Sequence, residues 1–306
     1  MKVNNFINNI GRCIMRLFNL IRNLKILSKA KIDKNSLNSF LSMNYNEMLK
    51  NILYYIPNSN IIRPKVLNDT ETIDFLNNTN SSIVRFGDGE IEIIEGKGIP
   101  YQEYNVHLAN RLKEIITTQQ DNLIVGINHW YYYPVYNQND CTVIKNFQLY
   151  NMPIYRNKLD KYINYTTQYC DAGFTSFKGN NVDLKAFFDK IKNIWKDKNI
   201  LIVGCKNAID TLSYNVFDTA KTSKYLFVPN KNAFSEYKQI YEEILTYDKN
   251  ILIVLMAGPT AKVLAADLTQ IGYRVLDMGH IAKSYDYYLK QLPDNDDNVE
   301  KFYCPD

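Results

Sequence analysis

Cysteine is scarce in this chain of 306 residues, which holds five of them. Their number is odd, they are scattered, and no two form a Cys-x-x-Cys pair. Disulfide-stapled domains and structural zinc sites need regularly spaced cysteines. The sequence therefore predicts neither a disulfide framework nor a zinc site, and it fits a protein of a reducing cytoplasm. The five cysteines are Cys13, Cys141, Cys170, Cys205 and Cys304.

Long apolar runs are also missing. A transmembrane helix needs about 20 consecutive, mostly apolar residues, and no run in the chain approaches that length. Residues 1–30 do not read as a secretory signal peptide, because charged residues interrupt every candidate apolar core. We expect no membrane-spanning segment and a cytoplasmic protein.

Acidic residues are absent from residues 1–31, which carry seven lysines and arginines. The whole chain has 36 basic and 32 acidic residues, so without these seven the remainder has 29 against 32, a net charge of −3. No basic stripe runs through the body of the chain. Nucleic acid is therefore not expected as the main partner.

The basic segment also carries an apolar stripe of helical spacing. Such a helix could lie on an anionic membrane surface, pair with another copy as a short coiled coil, or pack on the body. Basic amphipathic stretches favour the first alternative, so we expect peripheral attachment to the inner face of the membrane. The stripe consists of Val3, Ile7, Ile10, Ile14, Leu17, Ile21 and Leu24.

The rest of the chain alternates short apolar runs with helical patterns, which predicts an α/β fold with a parallel, Rossmann-like sheet and flanking helices. We expect three segments: the amphipathic helix with a linker over 1–45, one domain over 46–292, and a polar, frayed tail over 293–306. Residues 131–180 read as an insertion with short helices, either a lid or an acceptor platform. The predicted strands are 81–86, 123–127, 199–203, 225–228, 251–256 and 274–276. The predicted helices are 45–55, 70–77 (with Asp69 or Thr70 as N-cap), 108–116, 183–195, 234–245 and 261–270.

The most informative motif follows the first of these strands. Gly87 and Gly89 permit a tight backbone there and flank Asp88, with Glu90 directly after. In an extended chain, Asp88 and Glu90 would point the same way. Two such carboxylates suit Mg²⁺ or Mn²⁺, whereas the simpler interpretation is a polar turn.

Two further segments follow predicted strands at the same edge of the sheet, where open α/β sheets bind ligands. Gly258, Pro259 and Thr260 join a strand to a helix, and the free amides and dipole of a helix N-terminus attract phosphate. Asp277 and His280 follow the last strand, where they could act as a general base or bind a metal. Each segment could equally be an ordinary turn.

Taken together, these motifs resemble the bacterial glycosyltransferases with the GT-D fold, a family long labelled a domain of unknown function. The resemblance covers about residues 70–300. It rests on Arg85-Phe86-Gly87-Asp88-Gly89-Glu90, Asn232-Ala233-Phe234, Gly258-Pro259-Thr260-Ala261, and Asp277-Met278-Gly279-His280 followed by Tyr285.

The resemblance implies a metal-dependent enzyme that moves a sugar from a nucleotide donor, often UDP-linked, to a surface glycan or a glycoprotein. The family's metal motif falls on Asp88 and Glu90, with Mn²⁺ or Mg²⁺ as the ion. Asp277 or His280 would deprotonate or orient the acceptor. The donor would be held by Arg85, Gly87, Gly89, Lys206, Gly258, Pro259 and Thr260.

The chain departs from the family pattern at two places. Thr175-Ser176 stands where a Thr-Arg pair is expected, and residues 204–210 lack the expected arginine. Arginine is the usual bidentate partner of a diphosphate, and Lys206 is the nearest replacement. Two alternatives therefore stay open: a non-catalytic nucleotide- or glycan-binding partner in a glycosyltransferase complex, and a metal-dependent phosphohydrolase.

Overall fold

A computed structural model of the chain describes residues 45–56, 59–135, 137, 139–176 and 183–304. The predicted amphipathic helix and almost all of its linker lie outside these residues. No helix in the described ranges is long and apolar enough to cross a membrane.

An open sheet of eight parallel strands forms the centre of the described structure, in the order β1-β4-β3-β2-β8-β7-β5-β6. The predicted parallel α/β architecture is therefore confirmed. The strands are β1 (Lys65–Val66), β2 (Ser82–Phe86), β3 (Leu123–Ile127), β4 (Gln168–Asp171), β5 (Asn199–Gly204), β6 (Thr222–Phe227), β7 (Leu252–Met256) and β8 (Arg274–Asp277).

Helices cover both faces of the sheet. Alternate residues of the central strands enter two separate cores: Val84 and Phe86 of β2 face one, and Ile83 faces the other. This two-sided burial explains why these strands read as continuous apolar runs. The α-helices of the described ranges are α1 (Tyr45–Tyr54), α2 (Asp69–Asn78), α3 (Asp88–Ile94), α4 (Val106–Thr117), α5 (Thr142–Asn146), α6 (Met152–Leu159), α7 (Leu184–Asn193), α8 (Lys206–Asp210), α9 (Tyr237–Ile244), α10 (Thr260–Gln270), α11 (Ile281–Leu289) and α12 (Asp296–Tyr303).

The six predicted strands are all present, but β1 and β4 were not predicted. Strand β4 lies inside the predicted insertion, between β1 and β3, and its sequence Gln-Tyr-Cys-Asp is not an apolar run. The edge strand β6 begins three residues earlier than predicted, because most of its residues are exposed and carry no apolar signal. The short helices expected in the insertion are present as α5, α6 and a π-helical segment at Phe147–Asn151.

Two local predictions were wrong. The N-cap of α2 is Asn68, whose side chain accepts a hydrogen bond from the Glu71 amide while the Glu71 carboxylate accepts one from the Asn68 amide. This capping box satisfies two free amides at once. The C-terminal residues expected to be frayed form α12, because Val299 and Phe302 are buried against the body.

Candidate active site

A crevice opens between the carboxyl ends of β5 and β7, at the point in the sheet where the strand order changes direction. These two strands are neighbours in the sheet. After β5 the chain passes through α8 to β6 on one side, and after β7 it passes through α10 to β8 on the other. In open α/β sheets such a switch point is the usual place for a ligand.

The cleft at this switch point has an empty volume of about 860 Å³, including the part open to solvent. Most of that space is open to solvent, and the cavity volume proper is about 130 Å³, which is smaller than a typical small-molecule site. Gly258, Pro259 and His280, predicted as site residues, line it. Tyr101, Gln102, Cys205, Asn230, Met256 and Lys283 are among the other lining residues.

The loop that carries Tyr101 and Gln102 is held at the cleft by Asn232. The Asn232 side-chain oxygen accepts a hydrogen bond of 2.7 Å from the Glu103 amide, and the Asn232 amide donates to the Tyr101 carbonyl at 2.9 Å. Asn232 has a left-handed backbone with φ 57°, which asparagine tolerates better than most residues. These two hydrogen bonds give Asn232 of the Asn-Ala-Phe motif a structural role.

The floor of the cleft includes the turn that starts α10. Gly258 has φ +54°, and no atom lies within 4 Å of the position that a Cβ would take. Pro259 is the N-cap of this 11-residue helix, and Thr260 is its first residue. The Thr260 hydroxyl is buried and has no hydrogen-bond partner. Only the main-chain amide of Thr260, and not its side chain, can therefore contact a ligand in the cleft. The amides of Ala261 and Lys262 already donate to the carbonyls of Gly258 and Pro259, and Pro259 has no N–H, so an anion at this turn would have to be bound by the amides of Gly258 and Thr260.

Asp88 and Glu90 do not lie on an extended chain, as the sequence had suggested, but on α3, with Gly87 as its N-cap. Side chains two residues apart on a helix diverge by about 200°. Glu90 turns back, and its Oε2 accepts a hydrogen bond of 2.9 Å from the Gly87 amide. Asp88 is exposed at the carboxyl end of β2. The two carboxylates therefore have different environments.

Lys262 was missed by the sequence analysis and occupies the space between two acidic residues. It lies on the first turn of α10 with 4% of its surface exposed. Its Nζ is 2.8 Å from Glu90 Oε1 and 3.1 Å from Asp277 Oδ2. The same ammonium donates to the Gly258 carbonyl at 3.2 Å. Lys262 thus connects the turn at Gly258 with Glu90 on α3.

Arg85 completes this buried network and ties together the ends of three strands. Its Nε donates to the Asp277 carbonyl at 2.8 Å, and its Nη2 lies 3.4 Å from Asp277 Oδ1. Its Nη1 donates to the Ala172 carbonyl at 2.9 Å and to Thr175 Oγ1 at 2.5 Å. Two positive and two negative side chains therefore balance in the network of Arg85, Glu90, Lys262 and Asp277.

A glycine makes room for this arginine. Gly279 has φ +43°, and a Cβ there would fall onto the Arg85 guanidinium, 2.8 Å from its Cζ. Any larger residue would displace the guanidinium. The Asp-Met-Gly-His motif therefore has a packing role that the sequence did not reveal.

The acidic residues differ in their ionisation. Burial alone would raise the pKa of Asp277, but the positive charges of Lys262 and Arg85 outweigh it and hold that pKa below its usual value. Desolvation and the negative charge of Glu90 raise the pKa of Asp88.

The two predicted base candidates occupy different positions. Asp277 is 1% exposed and bonded to Arg85 and Lys262, so this geometry favours a positioning role over direct contact with an acceptor. His280 is half-buried at the start of α11 and lines the cleft. Its ring contacts Phe302 and Tyr303 of α12, at centroid distances of 5.5 and 6.2 Å.

Lys206, the predicted replacement for the missing arginine, starts α8. Its Nζ lies over the Phe227 ring, 5.7 Å from the centroid, and it is not among the residues that line the cleft. Gly89 packs against Ile99, since a Cβ there would lie 3.2 Å from Ile99 Cδ1. Neither Lys206 nor Gly89 is among the residues that line the cleft.

Comparison with known proteins points to one family. The sequence profile described as "Glycosyltransferase GT-D fold" matches residues 83–303. A protein named "Probable glycosyl transferase Gly" from Streptococcus gordonii is 32% identical over 233 residues, which are 73% of this chain and 33% of that protein. "Glycosyltransferase GlyD" from Streptococcus pneumoniae serotype 4 (strain ATCC BAA-334 / TIGR4) is 34% identical over 227 residues, 71% of this chain and 27% of that protein. The chain thus spans a third or less of these curated relatives.

Solved structures show the same fold. A structure described as "The highly conserved domain of unknown function 1792 has a distinct glycosyltransferase fold" superposes with a TM-score of 0.69 and 32% identity, covering 80% of this chain and 86% of that one. A second, "A New Glycosyltransferase (DUF1792) from Streptococcus sanguinis", has a TM-score of 0.69 and 30% identity, covering 75% and 86%.

Proposed function

The chain belongs to the glycosyltransferase GT-D fold family, and we propose that it transfers a sugar from a nucleotide donor, UDP-linked, to a glycan or glycoprotein acceptor. The observation that carries this proposal is the cleft at the β5/β7 switch point, which contains the N-terminus of α10. Such enzymes serve polysaccharide biosynthesis or protein glycosylation.

The donor diphosphate binds at the turn formed by Gly258, Pro259 and Thr260. A left-handed glycine lets the backbone approach the phosphates closely, and the amides of Gly258 and Thr260 donate to them. Lys262 anchors this turn from below through the Gly258 carbonyl. The nucleoside extends into the cleft beside Tyr101 and Gln102, which line it.

A divalent cation, Mn²⁺ or Mg²⁺, fits the carboxyl end of β2 through Asp88. Its carboxylate is accessible, and its pKa is raised by desolvation and by Glu90, so a cation there would relieve the repulsion. Glu90 is engaged by Gly87 and Lys262, and we assign it a supporting role behind Asp88. When bound, the ion offsets the charge that develops on the leaving nucleotide.

The described residues contain no cluster of three or more histidine, cysteine or acidic side chains that could hold a metal. A site with one or two protein carboxylates is typical of Mg²⁺ that is also bound by substrate phosphates and water. The same observation disfavours a phosphohydrolase that would need a preformed metal cage.

His280 is the residue that we propose to deprotonate or orient the acceptor hydroxyl. It lines the cleft and is accessible, and histidine titrates near neutral pH. Asp277 acts behind it as a positioning residue, because it holds Arg85 and Lys262 in place.

We further propose that residues 1–31 attach the enzyme to the inner face of the membrane. Seven basic residues flank the apolar stripe of this segment, and each could contribute about 1 kcal/mol near an anionic leaflet. Attachment would concentrate the enzyme near lipid-linked or envelope-bound acceptors.

One observation favours a second candidate, a non-catalytic binding partner. The expected arginines are missing, and Lys206 lies over Phe227 instead of lining the cleft. The test is nucleotide release from a panel of sugar nucleotides, with and without a panel of glycoside acceptors. Release that requires an acceptor supports transfer, release without one supports hydrolysis, and nucleotide binding without release supports the binding partner.

A further inference from the structure

The charge of the cleft at the β5/β7 switch point comes from one side chain. The described residues that line the cleft include a single lysine, Lys283, and no arginine, aspartate or glutamate. A cleft whose charges have one sign focuses the electrostatic field between its low-dielectric walls. The cleft is therefore suited to a ligand that is itself negatively charged.

Two helices also begin at this cleft. Gly258 and Pro259 directly precede α10, Gly279 and His280 directly precede α11, and all four residues line the cleft. The N-terminus of a helix carries about half a positive elementary charge, which stabilises anions near the first turn. Both helices therefore add to the positive potential that Lys283 creates.

Lys283 reaches the cleft from the first turn of α11. It follows His280 by three residues, and residues with this spacing lie on the same side of a helix, which explains why both line the cleft. The Lys283 side chain is half-buried, whereas most lysines are exposed to solvent. Its position in the wall of the cleft distinguishes it from an ordinary surface lysine.

Helix α12 contacts the ammonium of Lys283 from behind. The Lys283 Nζ donates to the Lys301 carbonyl at 3.1 Å and lies 5.9 Å from the centroid of the Phe302 ring. Phe302 is fully buried, and its ring also contacts His280. These contacts restrict the rotamers of a long side chain, so less conformational entropy is lost when a ligand binds to it.

We infer that Lys283 is the side chain that binds the diphosphate of the donor, together with the amides of Gly258 and Thr260, and that Phe302 of α12 positions it. The inference rests on the proposed transfer from a nucleotide donor and adds the charged residue that recognises its phosphates. Lysine binds phosphate as a point charge. A lipid-linked acceptor can carry the same diphosphate group, and the choice of ligand separates the two sources.

The first test measures the Kd of UDP and of uridine for the full chain by ligand-observed NMR in the presence of Mg²⁺. Lys283→Met should raise the Kd of UDP at least tenfold and leave that of uridine unchanged, because only UDP carries phosphates. The matched control is Lys224→Met, which removes an exposed lysine in a similar ring contact, 5.3 Å from the Tyr247 centroid. It should bind UDP as the parent does. An unchanged Kd of UDP in Lys283→Met, or an equal loss for uridine, would overturn the inference.

A second test addresses the contact with α12. Phe302→Leu should raise the Kd of UDP severalfold and leave that of uridine unchanged, because Lys283 loses the ring over which it lies. The matched control is Phe188→Leu, since Phe188 is also fully buried and packs on α11 through Tyr285 and Tyr288, each at a centroid distance of 5.1 Å. Both variants should lower the melting temperature, but only Phe302→Leu should change the ratio of the two Kd values. An equal ratio in both variants would overturn the positioning by α12.

The source of the diphosphate is separated with farnesyl diphosphate, which represents a lipid-linked acceptor. If Lys283→Met weakens binding of farnesyl diphosphate and not of UDP, the assignment to the donor fails. If Lys283→Met weakens UDP binding but the parent cleaves no sugar nucleotide, the proposed transfer fails and the diphosphate site is retained. A parent that binds no nucleotide would overturn both.

Discussion

Lys262 Nζ lies 2.8 Å from Glu90 Oε1, so a buried ammonium on α10 neutralises one of the two carboxylates of the Asp-Gly-Glu motif on α3. The same ammonium reaches Asp277 on β8 and the carbonyl of Gly258. The end of β2, the end of β8 and the turn after β7 are therefore held by one cation. The relative position of α3 and the turn at Gly258 therefore depends on these contacts.

Removing that cation should destabilise the protein strongly. Lys262→Met removes the cation shared by two buried carboxylates and leaves only Arg85 beside Asp277 and the Gly87 amide beside Glu90. Loss of one member of a buried ion pair costs about 3–5 kcal/mol. Urea unfolding measured by circular dichroism should show a loss of this size. A matched control, Lys238→Met, removes a lysine that is exposed and paired only at 3.7 Å with Glu242, and it should change stability little. Equal stability of the Lys262 variant and the parent would contradict the network.

The same variant should also reverse a pH dependence. In the parent the folded-state pKa of Asp277 lies below its usual value, so its contribution to stability is present above that usual value and is lost as pH falls through the folded pKa. Without Lys262, only Arg85 opposes the effect of burial on Asp277, so the folded-state pKa of Asp277 is higher than in the parent. The stability deficit of Lys262→Met relative to the parent should therefore shrink as the pH falls from neutrality toward 4. A deficit that is constant with pH would mean that the lost packing, and not the charge, causes it.

Gly279 offers a second test of the site's architecture. In Gly279→Ala, the new methyl group would collide with Arg85, and the loss should exceed the roughly 1 kcal/mol of a left-handed alanine. Gly96→Ala is the matched control, because Gly96 also has a left-handed backbone (φ +91°) but no atom within 4 Å of a Cβ. Thermal melts should rank the parent above Gly96→Ala and Gly96→Ala well above Gly279→Ala. Equal melting temperatures of the two variants would refute the close packing of Gly279 on Arg85.

The two carboxylates of the motif should respond differently to neutralisation. Asp88→Asn is expected to abolish Mn²⁺-dependent UDP binding, measured by calorimetry, while the melting temperature stays the same because Asp88 is exposed. Glu90→Gln should also lower the melting temperature, since it weakens a buried pair and a helix cap. If Asp88→Asn binds UDP and Mn²⁺ as the parent does, the metal assignment is wrong.

Cys205 provides an intrinsic reporter of the cleft. It lines the cleft and is partly accessible, so bound UDP should slow its alkylation by a maleimide at least severalfold. Cys304, which is exposed and does not line the cleft, is the internal control and should react at an unchanged rate. Peptide mapping by mass spectrometry separates the two sites. Protection of neither cysteine under saturating UDP would place the nucleotide elsewhere.

The buried strands could be predicted from sequence because both faces of the sheet are covered, which leaves unbroken apolar runs such as Leu252–Met256. Strand β4 could not, because its position depends on pairing with β3 and on no apolar run of its own. The same limit applies to β6, whose exposed residues lie at the edge of the sheet. The positions of β4 and β6 are determined by pairing with strands that are distant in sequence. A local sequence pattern cannot show such pairing.

The site shows a similar division. Asp88, Gly258 and His280 each come just after a predicted strand, which predicts that they lie at the carboxyl edge of the sheet. The structure places all three at that edge. The helical conformation at Asp88 was missed because the two glycines suggested an extended turn. Lys262 did leave a signal, since it is the single charged residue in the otherwise apolar and small stretch Thr260–Ala266. A lysine in a helix that is buried on all sides must be paired.

The most direct test of donor binding at the β5/β7 switch point is a crystal structure of the full chain soaked with UDP and Mn²⁺. We expect density for the diphosphate at the amides of Gly258 and Thr260, the uridine beside Tyr101 in the cleft, and an anomalous manganese peak on Asp88. Density for UDP at another surface, or an occupied cleft with no manganese near Asp88, would contradict the proposed site.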